Sequence, residues 1–301
     1  MASESGFIMP LVRIQDNLQL PPNSYVVRIK EIEVGSSDIR PNRLLVMDAS
    51  GDTIDLPGTE TIEPTFGLPA MWVDPDNREE ATFKGYTVVD PATVITTHLT
   101  ELIRDNMSEL LSYVETQNLL DELPNEHQKL VGEVVPNQIS VGGIQRVLQN
   151  LLNERVSIRD LPTILEGISE ACAFTRNVTQ LTEHVRSRLA RQISEQNSTE
   201  DNFIPLVTLS AEWEQIFSDS ILDQGEDKQL SMAPSQLQRF IGAVRTTLDE
   251  LADKEDPPVV LTSPTARPFV RSIIERFRPA TSIMSQNELH PKAKIKTLGQ
   301  I

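Results

Sequence analysis

The side chains that could act as bases, nucleophiles or metal ligands in this chain are few and far apart. Its 301 residues include four histidines and one cysteine, which are His98, His127, His184, His290 and Cys172. No histidine has a cysteine or carboxylate at metal-ligand spacing beyond what an acidic chain gives by chance. His98 lies near the inner side of its predicted helix, which favours a structural role. We therefore predict no catalytic residue, no metal site and no cofactor.

Longer catalytic motifs are also missing. The sequence contains no glycine-rich phosphate loop, no GxSxG and no HExxH. The single cysteine excludes an intrachain disulfide, favours a reducing compartment and is interpreted as a small hydrophobic residue on a helix. Because an active site can assemble from distant residues, a soluble enzyme with an unrecognised site in the C-terminal α/β part stays open as an alternative.

The charge of the chain limits its partners. It has 44 acidic and 27 basic residues and a net charge of −17. Nucleic acids and anionic membrane surfaces attract positive patches, so neither is expected as a partner. Soluble protein partners and solubility alone both remain explanations of this charge. No apolar run approaches the roughly 18 residues that span a bilayer, and no signal peptide is present, so we expect a soluble, cytoplasmic fragment.

The segment "DLPGTETIEPTFGLPAMWVDP", residues 55–75, combines backbone rigidity with large apolar side chains. Its four prolines and two glycines fix the backbone, and it carries Phe66, Met71 and Trp72. A rigid loop that presents an aromatic side chain is a common part of a protein-docking cleft. From the pattern alone, the alternative is that Phe66 and Trp72 fill the core of their own small domain.

The elements around this segment predict a mixed α/β region over residues 10–90. Short runs rich in β-branched residues predict strands at Leu11–Gln15, Tyr25–Val34, Arg43–Asp48, Ala70–Asp74 and Tyr86–Asp90. Residues 74–85 predict a short helix. Asp90 is suited to cap the next helix, and Pro91 occupies its first position, where the missing N–H costs nothing.

The middle of the chain predicts helices only. Apolar residues recur at helical spacing over residues 144–152, and Asp160 is suited to cap a second helix, so Ile144–Ala171 reads as a helical hairpin with two apolar faces. From residue 203 to 289, strands alternate with helices and predict parallel pairing. Residues 290–301 predict a loose, mildly basic tail.

Four long segments resemble the FHIPEP family, the large export-gate subunits of type III secretion systems, and occur here in the family's order. They are "VRIQDNLQLPPNSYVVRIKEIEVG", "LPGTETIEPTFGLPAMWV", "GYTVVDPATVITTHLTELI" and "VLQNLLNERVSIRDLPTILEGI". The resemblance covers nearly the whole chain and is weakest from Asn197 to Ser231. The first segment favours the flagellar branch, with a virulence injectisome homologue as the alternative.

The resemblance implies a function in protein transport. Members have an N-terminal membrane part, which is absent here, and a cytoplasmic part with four subdomains that forms a homo-oligomeric ring at the inner membrane. That part docks export chaperones carrying their substrates and also meets the export ATPase and stalk components. A different alternative is a structural ring protein whose partners are only copies of itself.

The resemblance also places a chaperone-binding cleft between the first two subdomains. Its acidic and aromatic positions fall on Glu63 and Phe66, its threonine on Thr97, and its hydrophobic floor on Met47. It implies that Glu63 and Thr97 set specificity through polar contacts. The family often has aspartate where Glu63 stands, and commonly has proline where this chain has Ala49.

The predicted fold class is α+β and multidomain. Small mixed α/β subdomains come first, an all-helical subdomain follows, and a C-terminal α/β subdomain has a mostly parallel sheet. The predicted boundaries are 1–41 with 91–110 for a split first subdomain, 42–90 for an inserted subdomain, 111–195 for the helical subdomain, 203–289 for the C-terminal subdomain and 290–301 for the tail. We expect the first subdomain to be incomplete, because the chain begins near the end of the family's first helix.

Overall fold

The computed structural model describes residues 6, 11–48, 51, 53–224, 227–251 and 257–301. The chain forms two compact units, one containing Met9–Leu110 and the other Leu111–Ile301. Small antiparallel sheets dominate the first unit, and helices followed by a parallel sheet form the second, which confirms the predicted α+β fold class. Among the described residues, no helix combines the length and the apolar character that crossing a bilayer requires.

The first unit begins with a β-hairpin. Strand β1 (Ser24–Ile29) pairs antiparallel with β2 (Ile32–Asp38), and Lys30 and Glu31 form the turn with φ of 48° and 67°. Positive φ at both central residues is the pattern of the turns that suit hairpin twist. The prediction of one strand over residues 25–34 was wrong because lysine and glutamate rarely signal such a turn.

A four-stranded antiparallel sheet forms the centre of the first unit, and its two faces are both covered. Alternate residues of its strands pack against Ala81 of helix α1 on one face and against Val94 of helix α2 on the other. Its order is β4 (Gly58–Ile62), β5 (Pro69–Val73), β3 (Leu44–Met47), β6 (Thr87–Val89), with α1 at Arg78–Phe83 after a 3-10 turn and α2 at Pro91–Asp105.

Two local predictions in this unit have opposite outcomes. The start of α2 is confirmed, since the Asp90 carboxylate accepts a 2.8 Å hydrogen bond from the Thr93 N–H and Pro91 is the first helical residue. The strand predicted at Leu11–Gln15 was wrong. Residues 11–17 have no regular structure, and Leu11 and Ile14 are almost fully exposed, because strand propensity is realised only when a neighbouring strand supplies the hydrogen bonds. A short helix, α3 (Met107–Leu110), ends the unit.

The second unit opens with six helices. Their buried faces confirm the predicted helical hairpin, whose first helix ends before Arg155 at φ 58° and whose second is capped by the Asp160 carboxylate on the Thr163 N–H. The helices are α4 (Tyr113–Asp121), α5 (Asn125–Val134), α6 (Val141–Asn153), α7 (Leu161–Ala171), α8 (Val178–Arg188) and α9 (Ala190–Gln196).

A parallel sheet and three helices complete the second unit. The core between them includes Phe217, Phe240 and Val244. The sheet order is β11 (Ile283–Ser285), β10 (Val259–Thr262), β7 (Phe203–Thr208), β12 (Lys294–Gln300), and the helices are α10 (Ala211–Ser220), α11 (Pro234–Glu250) and α12 (Arg267–Ile274). A hairpin that the sequence did not predict, β8 (Ile221–Gln224) with β9 (Asp227–Leu230), lies between α10 and α11.

The predicted loose tail was wrong. Residues 294–300 form β12, which pairs parallel with β7, and the Ile301 N–H donates to the Thr208 carbonyl at 2.9 Å. The run of alternating lysines hid this strand, because charged residues are depleted in central strands but tolerated at a sheet edge.

A buried ion cluster joins the helices to the sheet within the second unit. Arg267 of α12 binds Glu154 and Glu183, which lie at the end of α6 and on α8. Arg186 of α8 pairs with Glu154 at 3.3 Å and with Glu288, after β11, at 2.5 Å. Both arginines and Glu288 are buried.

Candidate partner-binding site

The connection between β4 and β5, residues 63–68, is a tight loop built around one carboxylate, and it is called the docking loop below. Glu63 is only 3% exposed, and its Oε2 accepts hydrogen bonds from the N–H groups of Thr65 at 3.0 Å and Phe66 at 2.6 Å. The Glu63 N–H donates to the Leu68 carbonyl, and the Gly67 N–H donates to the Glu63 carbonyl. Gly67 has φ 70°, a conformation that glycine adopts without steric cost.

The docking loop exposes apolar side chains. Phe66 is 64% exposed, and Ile62, which precedes the loop, is similarly exposed. Trp72, in contrast, is buried between the sheet and α2. Of the two interpretations left open by the sequence, core filling therefore holds for Trp72, whereas Phe66 faces solvent as a docking residue would. Ile62 was not predicted as a site residue, although the sequence shows its apolar character and its position beside the loop.

Two other predicted site residues lie where the sheet and α2 meet, one on the sheet and one on the helix. Met47, at the end of β3, is half-buried and packs against the cluster formed by Leu45, Trp72 and Val94. Thr97 is half-buried on α2, one turn after Val94. Ala49 lies outside the described residues.

Two paired rings adjoin this group, the half-buried Tyr25 and the buried His98, and Tyr25 was not predicted as a site residue. The Tyr25 hydroxyl lies 2.7 Å from Nδ1 of His98, which is buried on α2 beside Thr97. Burial, and then the negative charge of Glu63, raise the pKa of Tyr25 to about 12. Burial lowers the pKa of His98, and Glu63 opposes that shift. The Glu63 carboxylate thus acts electrostatically on both rings.

The close approach of the β-hairpin to His98 depends on a glycine, Gly35. A Cβ at Gly35 of β2 would lie 2.6 Å from Cδ1 of Leu102 and 3.0 Å from Nε2 of His98. Only a residue without a side chain allows β2 to approach α2 so closely. The pairing of Tyr25 with a histidine 73 residues away could not be read from local sequence pattern.

The other potentially reactive side chains make contacts that indicate a structural role. His184 pairs at 3.0 Å with Glu170, on the neighbouring helix, and Cys172 is buried. No group of three potential metal ligands occurs within the described part of the chain. A cavity of about 630 Å³ in the second unit is lined by Arg186, Arg271 and Arg278 among others, and by no histidine or cysteine. All three guanidinium groups form ion pairs with carboxylates.

Comparison with known proteins decides the family. Residues 1–294 match the FHIPEP family. The chain belongs to this family. The FHIPEP chain is 55% identical over 301 residues to the flagellar biosynthesis protein FlhA of Caulobacter vibrioides and 37% identical over 301 residues to that of Bacillus subtilis. All of the chain is covered in both comparisons, but only 43% and 44% of the two relatives, so it spans less than half of their length.

Solved structures show the same fold. The FHIPEP chain resembles CdsV of Chlamydia pneumoniae with a TM-score of 0.86 at 26% identity, covering 100% of this chain and 87% of that one. CdsV solved in complex with CdsO matches with a TM-score of 0.85 at 25% identity, covering 99% of this chain and 86% of that one. Nonameric SctV-C of EPEC matches with a TM-score of 0.78 at 23% identity, covering 100% of this chain and 90% of that one. The family resemblance predicted from the sequence is confirmed.

Proposed function

We propose that this chain is a docking platform of a flagellar type III protein export gate, binding export chaperones together with their substrates. In this proposal Phe66 is the apolar anchor, Met47 forms the floor of the cleft, and Thr97 supplies a polar contact. Ala49 belongs to the same predicted cleft. The platform lies at the cytoplasmic face of the bacterial inner membrane, attached through membrane segments of a longer protein, and it is not an enzyme.

The observation that carries this proposal is the exposure of Phe66 on a loop that is internally hydrogen-bonded. A large aromatic side chain gains free energy when a partner buries it, and a rigid loop loses little conformational entropy on binding. Truncating such an anchor commonly costs about 2 kcal/mol or more, which is roughly thirtyfold in Kd. Among the described residues, no group of three potential metal ligands competes with the docking loop as a site.

The flagellar assignment is favoured over the injectisome alternative by sequence identity. The two FlhA relatives are 55% and 37% identical, whereas the CdsV and SctV-C structures are 23 to 26% identical. We include ring assembly in the proposal, since SctV-C is nonameric, and contact with a stalk component, since CdsV binds CdsO. A ring would multiply weak docking contacts by avidity. The division into four subdomains also belongs to this proposal, with the predicted boundaries except that the C-terminal subdomain includes β12 (Lys294–Gln300).

Calorimetric titration of the chain with purified flagellar export chaperones, each alone and substrate-loaded, tests the docking function. We expect micromolar or tighter binding of loaded chaperone and a loss of roughly thirtyfold in Phe66→Ala. Phe83→Ala is the matched control, because Phe83 is an exposed phenylalanine of the same unit that lies outside the docking loop.

The outcomes separate the three functions left open by the sequence. An unchanged affinity in folded Phe66→Ala would refute the site. Sedimentation that shows self-association, combined with no chaperone binding, would favour the structural ring protein. A small metabolite retained through purification would favour the soluble enzyme.

A further inference from the structure

We propose that Glu63 is a positioning residue, which holds the docking loop in the shape that presents Phe66, and that it does not contact the partner. The proposal rests on the docking function proposed above and assigns Glu63 a role different from the polar partner contact that the family resemblance implied.

The burial of Glu63 and the bonds of its Oε2 carry the first step. With only 3% of Glu63 exposed, a bound partner has almost no surface of this carboxylate to touch. Its Oε2 already accepts from two backbone N–H groups, at 3.0 Å and 2.6 Å. Hydrogen bonds to an ionised carboxylate are stronger than neutral ones, so reaching a partner would require breaking the strongest contacts in the loop.

The consequence for Phe66 follows from the geometry of the loop. The side chain of Glu63 binds the Phe66 N–H itself, while its backbone binds Leu68 and Gly67. The peptide plane that orients the phenyl group is therefore fixed from one side by a carboxylate and from the other by a closed turn. Such preorganisation reduces the entropy that is lost when the anchor is captured.

The charge of Glu63 also acts on the side chains of Tyr25 and His98. Glu63 raises the pKa of Tyr25 and opposes the lowering of the His98 pKa by burial. The Tyr25 hydroxyl and Nδ1 of His98, 2.7 Å apart, form a hydrogen bond. Thr97, the polar residue of the cleft, directly precedes His98 on α2.

A double-mutant cycle in chaperone affinity tests the positioning role. Glu63→Gln keeps the shape of the side chain but removes its charge, and we expect it to weaken binding roughly tenfold. In a Phe66→Ala background the same substitution should have no further effect, because its action passes through Phe66. Glu60→Gln is the matched control, since Glu60 lies on β4 of the same hairpin and is exposed. We expect no change in Kd for Glu60→Gln.

Two results of the cycle would overturn the proposal. If the effects of Glu63→Gln and Phe66→Ala multiply, Glu63 contacts the partner independently. If Glu63→Gln binds like the unmodified chain while Phe66→Ala does not, the docking function stands and the positioning role fails. If Phe66→Ala has no effect, the docking function fails, and the positioning role is then decided by spectroscopy.

Nuclear magnetic resonance of the free chain supplies that second readout. In Glu63→Gln we expect the Phe66 amide signal to move upfield and the His98 pKa to fall further, because the charge that opposed its lowering is gone. Glu60→Gln should move neither. An unchanged Phe66 amide would overturn the positioning role, and an unchanged His98 pKa would mean that the charge of Glu63 does not act on His98.

Discussion

Arg267 and Glu154 form a bidentate ion pair, although they are 113 positions apart in the sequence. Nη1 of Arg267 lies 2.6 Å from Oε2 of Glu154, and Nη2 lies 2.9 Å from Oε1. This geometry matches the planar guanidinium to the planar carboxylate and is the strongest form of such a pair. It connects the end of α6 to the start of α12, so the helices and the parallel sheet of the second unit share one buried electrostatic contact.

Removal of the guanidinium should unfold this junction. Arg267→Met leaves the buried Glu288 and the partly buried Glu154 and Glu183 with only Arg186 to balance them, which we expect to cost about 3 to 5 kcal/mol. Urea unfolding followed by circular dichroism measures the loss. Arg239→Met is the control, because Arg239 pairs with Glu212 at the surface and should cost within about 1 kcal/mol. Equal losses in the two variants would contradict a special role of the cluster.

The same cluster should make stability fall in acid. Burial alone would raise the pKa of Glu154, but Arg267 and Arg186 together lower it from 4.5 to about 2. The unfolded chain therefore binds the proton first, so this stabilisation is complete above pH 4.5 and is lost as the pH falls towards 2. The full effect is on the order of 3 kcal/mol. Burial raises the pKa of Glu183, whose contribution has the opposite sign and offsets part of this loss.

Urea unfolding at several pH values between 4.5 and 3 measures this dependence. Glu154→Gln should flatten the acid slope, whereas Glu212→Gln, a change at an exposed carboxylate, should leave it as it is. A slope that Glu154→Gln does not alter would mean that other carboxylates dominate the acid sensitivity of the second unit.

Gly35→Ala should separate the hairpin from α2. The new Cβ would lie within 3.0 Å of both Leu102 and His98, so β2 or the helix must shift, at a cost of about 1 to 3 kcal/mol. We also expect the His98 pKa to rise, because the ring gains access to water. Gly132→Ala is the control: its Cβ would meet nothing within 4 Å, and alanine is favoured over glycine within a helix. Unchanged stability and an unchanged His98 pKa in Gly35→Ala would show that the Leu102 side chain moves aside without energetic cost.

Gly67 should tolerate asparagine better than alanine. A Cβ at this position meets no atom within 4 Å, so only the φ of 70° opposes substitution. The left-handed conformation costs alanine about 1 kcal/mol, and asparagine is a more frequent non-glycine residue there. We expect Gly67→Ala to weaken chaperone binding more than Gly67→Asn, as measured by calorimetry. Equal affinities would mean that the loop adapts without cost.

The sequence was sufficient where local rules decide structure. Asp90 with Pro91 and Asp160 announced helix starts that the structure confirms, because capping depends on residues within one turn. The helical spacing of apolar residues over 144–168 predicted two buried helix faces, also because the pattern is local. The turn at Lys30 was missed because lysine and glutamate rarely signal a hairpin turn, and the strand at residues 294–300 was missed because its partner β7 lies far along the chain.

The site was predictable only in part. Phe66 was chosen from the rigidity of its segment and from the family resemblance, but its exposure could not be separated from core filling by pattern alone. The burial of Glu63 depends on how β4, β5 and α2 pack, which no local rule contains. The ring of Tyr25 reaches His98 only after the β-hairpin has docked on α2, so this contact follows from tertiary structure.

The two tryptophans are divided between the two units. Trp72 is buried in the central sheet of the first unit, and Trp213 is buried beside Phe240 in the second. Since the chain contains only these two, replacing either one with phenylalanine leaves a single tryptophan. The emission of each single-tryptophan chain would then report the unfolding of one unit alone, so the order in which the two units lose structure could be followed without any attached label.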